Sequence, residues 1–109
     1  MTKTLFLKLK KISLIMMLFP VISLAQQSIS GTITDADTGE PLLGVTVLVQ
    51  GTNKGTVSDF DGNYLIQNVD SGDYVLDISY TGYSKLSQSI SVGSSDLSQD
   101  LQLTFSASE

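Results

Sequence analysis

Residues 38–66 read TGEPLLGVTVLVQGTNKGTVSDFDGNYLI, and this stretch decides the fold. Two strand-like runs, residues 45–50 and 64–69, lie on either side of a glycine-rich connection that ends in Asp61-Gly62. Valine and threonine at alternating positions favour strands, and Asp-Gly between such runs is typical of a tight hairpin turn. The stretch therefore predicts a short strand, a sharp turn and a second short strand, with no helix.

The same alternation continues on both sides of this stretch, with polar turn clusters between the runs. The alternating runs are residues 28–34, 74–80, 86–92 and 101–105. A sheet with one apolar face has to cover it, and here another sheet is the available cover. The prediction is an all-β protein, a seven-stranded antiparallel β-sandwich formed by residues 26–105 as one domain, followed by a polar tail, residues 106–109.

The first quarter of the chain has the pattern of a secretory signal peptide. Its basic start contains Lys3, Lys8, Lys10 and Lys11. An apolar run, residues 12–24, leads to Ser23-Leu24-Ala25, which predicts removal of residues 1–25 by cleavage before Gln26. A membrane anchor is the alternative, but this run is shorter than the roughly 20 residues that span a bilayer.

Charge and composition exclude several functions. Residues 26–109 contain two lysines, Lys54 and Lys85, and eleven Asp and Glu residues, which gives a formal net charge of −9. This charge disfavours binding of nucleic acid. The chain has no His and no Cys, which excludes disulfides, a lipid-modified cysteine, Ser-His-Asp triads and zinc sites built on these ligands. We expect no enzyme and no catalytic, cofactor-binding or metal-binding residues.

Two acidic turns are candidate metal sites. Asp59, Asp61 and Asn63 place oxygen atoms at alternate positions, as in a calcium loop, but Tyr64 occupies the position that requires glycine. An Asp-Gly hairpin turn is the preferred interpretation, and calcium binding stays an open alternative. The second cluster consists of Asp35, Asp37 and Glu40 and is interpreted as a solvated turn.

Two weakly charged stretches, residues 87–91 and 99–104, are candidate sheet edges. An exposed edge can accept an added strand from a partner. These stretches are the interaction surfaces that the sequence predicts.

Several motifs together resemble the carboxypeptidase regulatory-like domain. They are ISGTITD at residues 29–35, GEPLLGVTV at 39–47, GTVSDFDGNY at 55–64, GDYVL at 72–76 and YTGY at 80–83. The resemblance covers nearly all of the chain after residue 25. It is most similar to the domain at the N-terminus of SusC/RagA-type TonB-dependent outer-membrane receptors.

The resemblance implies a transthyretin-like sandwich in the periplasm, without catalytic activity, that helps nutrient import of glycans or peptides by positioning or gating. The implied partners are the plug and barrel of the same receptor, TonB and a SusD-like surface lipoprotein. Because no plug or barrel follows in this sequence, Glu109 is interpreted as a truncation point.

Two other functions remain open at this stage. One is a free-standing secreted β-sandwich that serves as a binding or structural module, and it requires an exposed aromatic platform. The other is an accessory domain of a secreted peptidase. A signal peptide directly before the domain argues against the accessory domain.

Overall fold

The computed structural model describes residues 26–106, which form eight β-strands. The predicted signal peptide and residues 107–109 of the predicted tail lie outside the described residues. The strands are β1 Gln27–Asp35, β2 Thr46–Val49, β3 Gly55–Val57, β4 Asn63–Val69, β5 Gly72–Ser79, β6 Leu86–Val92, β7 Leu97–Ser98 and β8 Leu101–Leu103. Within residues 26–106 we find no helix of the length and hydropathy needed to cross a membrane.

The strands form two four-stranded sheets. In the first sheet β1 is central, because it pairs with β4 on one side and with both β7 and β8 on the other. The second sheet has the order β3-β2-β5-β6 and is antiparallel throughout. The predicted all-β sandwich is therefore confirmed.

The end of the chain differs from the prediction in two details. Strands β7 and β8 run parallel to β1, and β7 lies between the predicted strands at residues 86–92 and 101–105. After β6 the chain crosses from the second sheet to the first, so no hairpin sets the direction of the last strands. The strand count is eight rather than seven because the last strand is interrupted at Gln99 and Asp100.

The core lies between the two sheets and forms one cluster. Its fifteen buried hydrophobic residues are Ile29, Ile33, Leu42, Val45, Val47, Val49, Tyr64, Ile66, Val69, Leu76, Ile78, Ile90, Val92, Leu101 and Leu103. Burial of each aliphatic side chain stabilises the fold by about 1.5–3 kcal/mol. All fifteen fall within residues 29–103, and both sheets contribute to them.

A bulge in β4 interrupts the alternation of buried and exposed residues along this strand. The sequence pattern assigns Asn68 to the face of Tyr64 and Ile66, but Asn68 is exposed and Val69 is buried instead. Asn68 adopts a positive φ of 62°, and the pairing of β1 with β4 shifts register between Gln27 and Ile29. One additional residue in β4 thus returns Val69 to the core.

Two carboxylates bond the backbone of β1 along this last segment, one just before β7 and one in the interruption between β7 and β8. The backbone N–H of Ser28 donates to Asp96 Oδ1 at 2.9 Å, and that of Thr32 donates to Asp100 Oδ1 at 2.9 Å. Between them, Gln99 N donates to Ser30 O at 2.8 Å. Side chains therefore replace the backbone acceptors that an uninterrupted strand would supply to β1.

Gly31 in β1 allows a close approach of this last segment. A Cβ atom at Gly31 would lie 2.0 Å from the carbonyl oxygen of Gln99. The same oxygen accepts a hydrogen bond from the hydroxyl of Tyr64, whose side chain is buried. The absence of a side chain at Gly31 is thus what lets Gln99 lie directly against β1.

Candidate functional site

The turn at residues 59–63, for which calcium binding was the alternative interpretation, is stabilised by its own hydrogen bonds. Asp59 Oδ1 accepts the backbone N–H of Asp61 at 3.0 Å and that of Asn63 at 2.9 Å, and Gly62 N donates to Asp59 O at 3.0 Å. The amide oxygen of Asn63 accepts the hydroxyl of Thr32 at 3.0 Å. These contacts are those of a side-chain-stabilised turn.

Gly62 holds this turn against the neighbouring loop. Its φ is 78°, and a Cβ there would lie 2.7 Å from Ile33 O and 2.9 Å from Pro41 Cβ. Next to it, the buried hydroxyl of Ser58 accepts Val45 N at 2.9 Å and donates to Leu42 O at 2.7 Å. Gly62 and Ser58 therefore hold the turn before β4 against the loop that precedes β2.

Asp35 is buried, although the sequence pattern suggested a solvated turn. One carboxylate oxygen accepts the backbone N–H groups of Asp37 at 2.8 Å and Thr38 at 3.0 Å, and the other accepts the Tyr83 hydroxyl at 2.6 Å. Of the three acidic residues in this cluster, Asp37 and Glu40 are exposed as expected. Asp35 instead ties the turn after β1 to the loop after β5.

The bonds of Asp35 shift two pKa values. The Tyr83 hydroxyl and the N–H groups of Thr38 and Asp37 hold the pKa of the Asp35 carboxyl below its usual 3.8. The hydrogen bond to Asp35, together with burial, raises the pKa of Tyr83 from 10.0 to about 12. At neutral pH Asp35 is therefore ionised and Tyr83 is neutral, and their hydrogen bond serves the structure.

The described residues contain no cluster of three or more acidic, His or Cys side chains arranged to hold a metal ion. Tyr64 is buried, and Tyr74 and Tyr80 pack against the core. The most exposed large hydrophobic residue of this part of the chain, Phe60, lies on a turn. The ring of Tyr83 contacts those of Tyr80 and Phe105, with centroid distances of 5.4 Å and 5.5 Å, and Phe105 is exposed.

The structure places both predicted interaction stretches at sheet edges, 87–91 in β6 and 99–104 in and around β8. The four edge regions of the two sheets differ in length and regularity. Strand β3 has three residues, β4 carries the bulge, and the β7–β8 edge is interrupted and flanked by Asp96 and Asp100. Strand β6 pairs with β5 in unbroken register over seven residue pairs. It is the longest regular edge in residues 26–106.

Two depressions flank β6. One, of about 570 Å³, lies on the outer face of the second sheet and is lined by Gln50, Asp73, Tyr74, Val75, Ser89, Ile90 and Ser91. The other, of about 460 Å³, includes the inward-facing Leu86 and Gln88 of β6 and residues of β1 and β8 from the other sheet. Each face of this edge strand therefore borders open space.

Sequence reasoning missed the roles of Asp35, Asp96 and Asp100. For the last two a signal was present, because Asp96-Leu97 recurs four residues later as Asp100-Leu101. Each aspartate reaches a backbone N–H of β1, and each following leucine packs in or against the core. A spacing of four keeps both pairs on the same faces of an extended segment.

The carboxypeptidase D regulatory-like family model, described as "CarboxypepD_reg-like domain", matches residues 29–109. TonB-dependent receptor P3 of Formosa agariphila is 44% identical over 68 residues, which cover 62% of this chain and 6% of the receptor. TonB-dependent receptor SusC of Bacteroides thetaiotaomicron is 43% identical over 60 residues, 54% of this chain and 6% of SusC.

Among solved structures, the pilus 2b backbone protein of group B streptococcus superposes with a TM-score of 0.64 at 16% identity, over 75% of this chain and 42% of that protein. At this identity the likeness concerns the sandwich fold alone. The aligned part of the chain spans 6% of the length of the receptors described above.

Proposed function

Because the chain belongs to the CarboxypepD_reg-like domain family, we propose that it is the N-terminal periplasmic module of a TonB-dependent outer-membrane receptor of SusC/RagA type. The observation that carries this proposal is the identity of 43–44% to two TonB-dependent receptors, one of them SusC, over 60–68 residues. The module has no catalytic role of its own. It takes part in the import of a nutrient, a glycan or a peptide, by positioning or gating the parts of the receptor that follow it.

The chemistry of the described residues supports a non-catalytic role. Several polar side chains, among them Asp35, Ser58 and Asp59, form hydrogen bonds with the backbone of turns and loops within the domain. The unpaired backbone groups at the sheet edges of the described residues can still bind a partner. The proposed partners are accordingly macromolecular: the plug and barrel of the same receptor, TonB and a SusD-like lipoprotein.

The first test is to sequence the source DNA beyond codon 109. An open frame that continues into a plug and many alternating strands supports the proposal, and a stop codon after Glu109 contradicts it. In the stop-codon case the chain would be a free-standing module of the periplasm or the cell exterior.

The second test is deletion of residues 26–106 within the full-length receptor, with residues 1–25 retained for export. We expect normal amounts of receptor in the outer membrane and a reduced rate of substrate uptake. A matched control carries the exposed substitution Phe60→Ser and should import normally. Unchanged uptake after the deletion would contradict a role in import. N-terminal sequencing of the exported receptor without the deletion would check cleavage before Gln26.

A further inference from the structure

We propose that the free edge of β6 is a docking site for an extended, basic segment of a partner protein, which adds to the second sheet as a fifth strand. The proposed occupant alternates basic and apolar side chains. This inference stands on the geometry of the sheet and does not depend on the receptor assignment.

The first argument is that β6 lacks the features that protect sheet edges. Proteins block exposed edges with short strands, bulges, charged side chains or proline. Strands β3 and β4 and the β7–β8 segment each have one of these features. Strand β6 spans seven residues without proline, charge or irregular register. Its side away from β5 pairs with no strand in the described part of the chain, so the backbone groups of alternate residues face open space. One of them, Ser89 O, accepts the side-chain amide of Gln88 at 3.1 Å, and an added strand would replace this bond.

The second argument concerns the outer face and selects a basic partner. On this face Ser87 pairs with Asp77 of β5, and Ser91 pairs with Asp73. The two serines are short and exposed, and Asp73 and Ser91 both line the outer depression. The Ser87 hydroxyl donates to Asp77 Oδ1 at 3.2 Å and Gln50 Nε2 donates to the same atom at 3.4 Å, so Asp77 would receive a basic side chain at its other oxygen. An added strand would lie about 4.8 Å beyond β6, and a lysine or arginine over each serine would reach the carboxylate of the next strand.

The spacing of these carboxylates defines the recognition pattern. Asp73 and Asp77 are four residues apart on one strand, so they face the same side of the sheet. The partner should therefore carry basic residues at positions i and i+4. The formal net charge of −9 for residues 26–109 attracts such a segment and opposes pairing of β6 with β6 of a second copy.

The third argument concerns the inner face and selects apolar residues between the basic ones. Leu86 and Gln88 of β6 line the depression of about 460 Å³ together with Thr34 and Leu101 of the first sheet. Side chains of an added strand that point inward would enter this space. Valine or leucine at these positions would cover the partly buried Leu86.

The test is an NMR titration of ¹⁵N-labelled residues 26–109 with three blocked nine-residue peptides. The first alternates lysine and valine, the second replaces every lysine by glutamate, and the third is the lysine peptide with proline at its centre. We expect saturable amide shifts along residues 86–92 with the first peptide alone, and binding that weakens as salt is added. Shifts centred on β3 or β4, equal shifts with the glutamate peptide, or no shifts up to about 1 mM would overturn the proposal.

Variants separate edge docking from general charge attraction. Ser89→Lys places a charge on the exposed row of β6 and should abolish binding, whereas Ser95→Lys adds the same charge in an exposed loop and should retain it. If Ser89→Lys fails to fold, Ser87→Lys on the same row replaces it. The double variant Asp73→Asn/Asp77→Asn should weaken binding of the lysine peptide at least about five-fold.

Equal binding by Ser89→Lys and Ser95→Lys would contradict the assignment to β6. Sedimentation of the free domain tests the other occupant. A dimer that Ser89→Lys abolishes would mean that β6 pairs with a second copy, and it would overturn the proposal of a basic partner.

Discussion

Replacement of Gly31 by alanine tests the close contact between β1 and the last segment. The new Cβ would lie 2.0 Å from Gln99 O and 2.6 Å from the carbonyl carbon, where ordinary contacts begin at 3.4 Å. Gln99 would have to move by about 1.4 Å. It has little freedom to do so, because its N–H is bonded to Ser30 O and its carbonyl oxygen accepts the Tyr64 hydroxyl.

The expected loss of stability follows from these contacts. Overpacking of a well-packed site is destabilising by about 1–3 kcal/mol. Loss of the hydrogen bond between Tyr64 and Gln99 adds about 0.5–1.5 kcal/mol. We therefore expect Gly31→Ala to lower the free energy of unfolding by about 2–4 kcal/mol.

The assay is urea unfolding of residues 26–109, followed by circular dichroism at one temperature. Gly93→Ala is the matched control, because a Cβ at Gly93 meets no atom within 4 Å. Tyr64→Phe removes the hydroxyl alone and should lower the free energy by about 1 kcal/mol. The double variant Gly31→Ala/Tyr64→Phe should lose less than the sum of the single changes. If Gly31→Ala matches Gly93→Ala within about 0.5 kcal/mol, the reasoning is refuted.

Three further predictions concern other parts of the sandwich. Leu76→Ala removes a fully buried side chain and should lower the free energy of unfolding by about 2–5 kcal/mol in urea titrations, whereas the exposed Phe60→Ser should change it by less than about 0.5 kcal/mol. Asn68→Ala should lower it by about 1 kcal/mol and Asn68→Gly by less, because the φ at this position is 62°; equal losses would contradict the role of the bulge. The pKa of Asp35 is lowered in the folded state, so its contribution to stability is complete above the unfolded value near 3.8 and is lost as the pH falls through the lower folded value. Tyr83→Phe removes the largest cause of this lowered pKa. In acid unfolding, the loss of stability below pH 3.8 should therefore be less steep for this variant.

Much of the fold could be predicted because alternation and turn chemistry act locally. Val45, Val47 and Val49 are buried as their spacing predicted, and the strand at residues 74–80 corresponds to β5 apart from its ends. The bulge was missed because Asn68 fits either face of a strand in a simple two-residue pattern. Its left-handed conformation becomes apparent only from the register of β4 against β1.

The direction of the last strands and the role of Asp35 were not predictable in the same way. Both depend on partners far along the chain: Ser28 bonds a side chain 68 residues away, and Asp35 bonds one 48 residues away. A turn of acidic residues looks solvated in sequence because nothing nearby marks Tyr83 as its partner. The candidate edge at residues 87–91 was accessible to prediction, since a serine at every second position leaves one face of the strand uncharged.

The parallel pairing of β1 with β8 also determines how the domain responds to mechanical load. The beginning of β1 at Gln27 and the end of β8 at Leu103 lie at opposite ends of the strands that join them. A force that pulls these two points apart acts along the strands, so it loads the bonds between β1, β7 and β8 together in shear. In an antiparallel arrangement the same force would open the bonds one at a time from one end. The hydrogen bonds between β1 and the last strands therefore resist a force applied between Gln27 and Leu103 together rather than one by one.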